Sequence, residues 1–108
     1  MAIKANIIID QGSTFETKFV LEDSSENLIS LTGFTGQSKM RKHHTSANAH
    51  TFTVSVDEGA SAVVVSLTAT QTALIESGRY IYDVELTSGN TVSRILEGIV
   101  TVTGQVTK

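Results

Sequence analysis

Three groups of side chains have types and spacings that could support chemistry. The first is His43, His44 and His50, the only histidines in the chain. Imidazole is a common metal ligand, but a metal site needs several converging ligands and further groups that orient them. Adjacent His43 and His44 point to opposite faces of an extended segment, and His50 reaches either one only across a loop. The expectation is a solvated loop and no metal. The second group is acidic. Asp83 and Glu85 alternate on one strand face, with Glu97 on the strand that follows. A carboxylate pair can serve glycoside hydrolysis, but that chemistry needs a cleft with aromatic platforms, and the chain has no Trp. Acids on a wet sheet face are the simpler reading. The third group is Lys39, Arg41 and Lys42, three of the eight basic residues. With the histidines they form a local positive patch on an acidic chain. Such a patch docks an acidic partner through complementary charge, or it protects a strand end from edge pairing. No catalytic residue and no cofactor are expected. The partner-contact candidates are Lys39, Arg41, Lys42, His43, His44 and His50.

The elements that must position these groups are strands. The most informative stretch is Leu74-Ile75-Glu76-Ser77-Gly78-Arg79-Tyr80-Ile81-Tyr82-Asp83-Val84-Glu85-Leu86. It reads as a short helical segment, a corner glycine and a strand of period two. The spacing Glu76-x-Gly78-x-Tyr80-x-Tyr82 matches the tyrosine corner of immunoglobulin-like sandwiches, with Tyr82 where antibody domains carry the second disulfide cysteine. Gly78, Tyr80 and Tyr82 are therefore assigned structural roles. One tyrosine hydroxyl is expected to bond nearby backbone, with its ring in the core.

Seven or eight strands follow from the turn signals. The first spans residues 3–9 and is apolar on both faces, so it is either sandwiched between layers or meets another subunit. A strand over residues 14–22 sets Phe15, Thr17, Phe19 and Leu21 against Glu16, Lys18 and Glu22, one face buried and one wet. Residues 23–27 read as a hairpin loop and 28–31 as a short strand. After a break at Thr32-Gly33 comes a strand over 34–41, with Phe34 and Met40 inward. Residues 42–49 form a loop. Strands over 51–56 and 62–67 turn Phe52, Val54, Val56, Val63, Val65 and Leu67 inward. Thr70 is read as the N-cap of one or two helical turns over 71–76. Gly78 is read as its left-handed cap, and Leu74 and Ile75 as a plug for the open end of the sandwich. The strand over 79–87 turns at Ser88-Gly89-Asn90 into a last strand over 91–103. There Val92, Leu96, Val100 and Val102 share a face, and Arg94 interrupts it. Gly98 marks a bulge or a close backbone approach.

Composition bounds the rest. The chain has 108 residues, the size of one domain, here residues 1–108, able to bury a core without staples. It has no Cys, hence no disulfide framework, and no Pro, so its turns rest on Gly, Asn, Asp and Ser. A net charge of −3 argues against a nucleic-acid partner, which calls for a basic face. Residues 1–9 do not read as a signal peptide, and no run is long enough to span a membrane, so a cytosolic site of synthesis is expected.

Across most of its length the sequence resembles a group of small virion structural proteins of tailed phages, cyanobacterial ones especially. The matching pieces are Ala5-Asn6-Ile7-Ile8-Ile9-Asp10-Gln11-Gly12-Ser13-Thr14-Phe15, Leu31-Thr32-Gly33-Phe34-Thr35-Gly36 and Met40-Arg41-Lys42. They continue through Ser66-Leu67-Thr68-Ala69-x-x-Thr72 and Gly78-Arg79-Tyr80-Ile81-Tyr82-Asp83-Val84-Glu85, and close with Arg94-Ile95-Leu96-Glu97-Gly98-Ile99-Val100-Thr101-Val102. Their order is also similar to that of the immunoglobulin-like N-terminal domain of phage baseplate upper proteins. The resemblance implies a non-enzymatic component of a baseplate, tail, neck or head decoration, located in the virion after synthesis in the host cytoplasm. Its partners would be other virion proteins, through homo-oligomers or assembly templated by the particle. The competing reading is a carbohydrate-binding or adhesin-type module on the same fold. The expected architecture is an all-β, immunoglobulin-like antiparallel sandwich of seven or eight strands with a short helical turn before the sixth or seventh.

Overall fold

A computed structural model describes residues 3–21, 31–43 and 49–106. The architecture is all-β: the described residues form eight strands and one short helix, in the order β1 (Ile3–Lys4), β2 (Ile7–Asp10), β3 (Phe15–Val20), β4 (Thr35–Arg41), β5 (His50–Asp57), β6 (Ala62–Leu67), α1 (Ala69–Ala73), β7 (Gly78–Ser88) and β8 (Thr91–Thr103). The helix precedes β7, as the turn signals require. Among the described residues no helix is long and apolar enough to cross a membrane.

The strands form one curled sheet, ordered β1-β8-β7-β4-β5-β6-β3, with β2 also on β8. The curl occurs within β5. Its first residues pair with β4, Thr51 opposite Lys39 and Phe52 opposite Ser38. From Thr53 onward it pairs with β6 instead. The sheet thus folds over itself into two layers, and the apolar sides of both layers meet. Ile9, Met40, Tyr82, Val84, Leu96 and Val100 come from the larger layer and Val63, Val65 and Leu67 from the smaller. Phe52 stands at the curl and touches both Phe15 and Tyr82, with ring centroids 6.1 and 6.3 Å apart.

Pairing is antiparallel except at the N-terminus, where β1 and β2 run parallel to β8. The apolar segment over residues 3–9 is therefore two strands. Ile7 and Ile9 face the core, whereas Ile3 and Ile8 are exposed.

Local expectations are corrected in four places. The helix begins two residues earlier than the sequence suggested. Thr68, not Thr70, is its N-cap, in a reciprocal capping box with Gln71. Its C-cap is Leu74, so Gly78 does not end it; Gly78 has φ +142° and opens β7. Ile75 plugs the end of the sandwich, but Leu74 is 77% exposed. Val92 is exposed too, because β8 shifts register at a bulge. Val84 faces Leu96, yet Glu85 faces Arg94, leaving Ile95 as the extra residue. The bulge resolves the interrupted alternation by carrying Arg94 to the outer face. The strand expected over 28–31 and the hairpin loop over 23–27 lie outside the described residues, apart from Leu31, which is buried and precedes β4.

Candidate functional site

Side chains of opposite charge collect on the outer face of the larger layer, and cross-strand register fixes their order. On β7, Ile81, Asp83 and Glu85 point outward. Their neighbours on β4 are Arg41, Lys39 and Gln37. Their neighbours on β8 are Ile99, Glu97 and Arg94. Lys4 on β1 lies beside Glu97. The central row reads Lys4–Glu97–Asp83–Lys39, two carboxylates between two ammonium groups.

Directly opposed like charges destabilise a strand pair. Arg94 offsets that repulsion. Its Nε lies 3.3 Å from Asp83 Oδ2 and its Nη1 3.7 Å from Glu97 Oε1. The bulge at Ile95 places the guanidinium there. These ion pairs are solvent-exposed and add little stability; they order the charges on the face. Lys4, Lys39, Arg41, Asp83, Glu85, Arg94 and Glu97 rim a groove of about 650 Å³, with Ile81, Ile99 and Gly98 among its lining.

The basic patch is divided by strand alternation. Lys39 and Arg41 face this groove, whereas Lys42 leaves the strand on the other side. The Lys42 ammonium sits 4.4 Å from the Tyr80 ring centroid, close enough for a cation–π contact. His50 meets the same ring edge-on at 5.9 Å. His43 lies in the bend after β4, and His44 lies outside the described residues. Of the five described contact candidates, Lys39 and Arg41 line the groove, Lys42 and His50 meet the Tyr80 ring, and His43 belongs to neither pair. Among the described residues no group of three or more His, Cys, Asp or Glu is placed to hold a metal ion.

Gly78, Tyr80 and Tyr82 take structural roles. The Tyr80 hydroxyl donates to the Glu76 carbonyl at 2.7 Å, the hydrogen bond of a tyrosine corner. The Tyr82 hydroxyl crosses β8 and donates to the Ala5 carbonyl at 2.6 Å. Burial pushes the Tyr82 phenol up to about 12. Tyr80 is also raised, by burial first and by the Glu76 carboxylate second. A Cβ on Gly78 would approach the Lys42 ammonium to 2.7 Å.

The four Phe and two Tyr are the whole aromatic complement, and each is buried or half-buried. No ring stands free on the surface to stack against a sugar. The sequence reading missed Lys4, Gln37 and Arg94 as groove residues. Arg94 was within reach of a count outward from the Ser88-Gly89-Asn90 turn, which sets it opposite Glu85 before the bulge is met. Lys4 was not, because the parallel pairing of β1 leaves no local signal.

No family model matches the chain, and neither does any curated protein. Among solved structures it is similar to InlP of Listeria monocytogenes, at 14% identity and a TM-score of 0.51, over 94% of this chain. The match spans 28% of InlP. Likeness at this identity bears on the fold alone.

Proposed function

We propose that the chain is a non-enzymatic structural component of a tailed-phage particle, acting through protein–protein contacts in a baseplate, tail, neck or head-decoration position. The observation that carries this reading is where the reactive side chains lie. The acids pair with Arg94 on an open sheet face, among further cations, instead of converging in an enclosed cleft. A face with ordered charges of both signs around Ile81 and Ile99 suits docking, since complementary charge sets orientation while the apolar residues supply area. The ordered sequence resemblance points the same way. The inward turn of every aromatic ring disfavours the carbohydrate-binding alternative.

The test is incorporation. Particles are assembled with the wild-type chain or with Lys39→Glu/Arg41→Glu, and purified particles are probed for the protein. Wild-type chain should co-purify with particles, and the variant should be depleted while its circular dichroism stays that of the wild type. Absence of wild-type chain from particles would overturn the virion reading. Equal incorporation of both would remove the groove as the docking face.

A further inference from the structure

We infer that the free edge of β2 pairs antiparallel with the same edge of a second copy of this chain, about a two-fold axis at Ile8. The inference stands independently of the virion reading.

It begins with which backbone groups are used. Ala5 N–H donates to the Glu97 carbonyl at 2.9 Å and Gln11 N–H to the Thr103 carbonyl at 3.0 Å. Odd-numbered residues of this segment therefore bond toward β8. By the period of a strand, the N–H and C=O of Ile8 and the N–H of Asp10 point the other way, while the Asp10 carbonyl already accepts from Ser13 N–H at 3.1 Å in the turn that follows. Among the described residues, no strand pairs with that edge. The side chain above it is apolar: Ile8 is 70% exposed and lies diagonally from Ile99, which is 41% exposed.

The sheet's other edge is different. There β3 alternates Glu16 and Lys18 outward, and charged side chains are the usual defence against edge-to-edge pairing. Between Lys4 and Asp10 the β2 edge carries no charge at all. It is also held in place, since the Tyr82 hydroxyl fixes Ala5 and the Asn6 Oδ1 accepts from Ile99 N–H at 3.1 Å. A preordered edge spends little entropy on pairing.

The occupant follows from self-complementarity. Ile8 opposite Ile8 makes a hydrogen-bonded pair, in which the two residues exchange both bonds. That geometry satisfies a two-fold axis. Asn6 then faces Asp10 of the second copy, with no like charges opposed. Lys4 falls diagonal to Asp10 of the second copy, an opposite-charge neighbour within reach of a long side chain. Ile8 and Ile99 from both copies close into one apolar cluster over the axis. A closed two-fold contact ends at the dimer.

The chain has no cysteine, so one introduced thiol reports the contact. Across the axis the two Ile8 Cα atoms would stand about 5.5 Å apart, within disulfide range. With oxidised glutathione, Ile8→Cys should give covalent dimer several-fold above Leu74→Cys, an equally exposed control. Sedimentation equilibrium of the wild type, up to about 1 mM because the interface is small, should show mass rising from one chain toward two. Ile8→Pro should stay monomeric with an unchanged unfolding midpoint, since the N–H it removes faces away from β8. Ile8→Lys, which keeps the backbone intact, serves if the proline variant fails to fold. A wild type that is monomeric throughout, an Ile8→Lys variant that associates normally, or cross-linking no better than Leu74→Cys would each overturn the inference.

Discussion

At the scale of single residues, the two tyrosines do different work although they lie two positions apart. Tyr80 closes a local corner on Glu76. Tyr82 makes a connection 77 residues away in sequence, from β7 to the N-terminal segment. It therefore ties β7 to the N-terminal segment from the position where antibody domains carry a disulfide cysteine. Replacing Tyr82 by Phe keeps the ring but leaves the Ala5 carbonyl without this donor. A loss of about 1 kcal/mol is expected, read as a lower urea midpoint with an unchanged slope. Tyr80→Phe should cost about the same; no change there would contradict the corner assignment. Ionisation supplies a second readout. In the unfolded chain both phenols titrate near about 10, whereas folded Tyr82 holds its proton to about 12. Above the first value the unfolded state sheds protons that the folded state keeps, so stability falls as pH rises through that window and is fully present below it. Denaturation midpoints measured across the window should fall, and should fall less steeply for Tyr82→Phe.

Among the elements, the join between β1 and β2 explains the glycine on β8. The register on β8 continues unchanged across the join, with Lys4 beside Glu97 and Ile7 beside Val100, which sets Ala5 against Gly98. The Ala5 carbonyl turns over Gly98 to reach Tyr82, and the Asn6 side chain takes the Ile99 N–H that a backbone carbonyl would otherwise accept. A Cβ at position 98 would run into the Ala5 carbonyl oxygen. Gly98→Ala should therefore destabilise by about 1–3 kcal/mol, and the Ala5 and Ile7 amides should lose hydrogen-exchange protection. Its cost should not add to that of Tyr82→Phe, because both act on the same carbonyl. A Gly98→Ala variant as stable as the wild type would exclude the close approach. The sequence pointed to Gly98 because a glycine inside a strand has few explanations. It could not name Ala5, since parallel pairing over more than ninety residues leaves no mark in either segment. The bulge at Ile95 was legible only as a fault in alternation at Arg94. The tyrosine corner was plain because its residues are neighbours in the chain, whereas the division of Arg41 from Lys42 required knowing where β4 stops.

For the molecule as a whole, the question is how a curled sheet closes its end without a disulfide or a long helix. The turn after β2 does this. Gln11 Nε2 donates to the Ile75 carbonyl at 2.8 Å, and Gln11 Oε1 accepts from Gln105 N–H at 3.0 Å. One side chain thus joins the segment after α1 to the chain beyond β8. Beside it, the fully buried Thr72 hydroxyl accepts from Gly12 N–H at 3.0 Å and donates to the Ser13 carbonyl at 2.8 Å. A buried hydroxyl is tolerated only when its partners are in place; here two are backbone groups of one turn, and the Ala69 carbonyl, at 3.1 Å within the helix, is a second acceptor. The short helix, with its capping box, exists to present Thr72 to that turn. Thr72→Val preserves shape and burial while leaving Gly12 N–H and Ser13 C=O without this partner, so the loss should be about 1–3 kcal/mol. Thr72→Ser keeps the hydroxyl and gives up one methyl group, and should cost less. Urea titration of the three proteins decides the matter. If valine is tolerated as well as serine, α1 closes the end by packing Ile75 alone and the hydroxyl network contributes nothing.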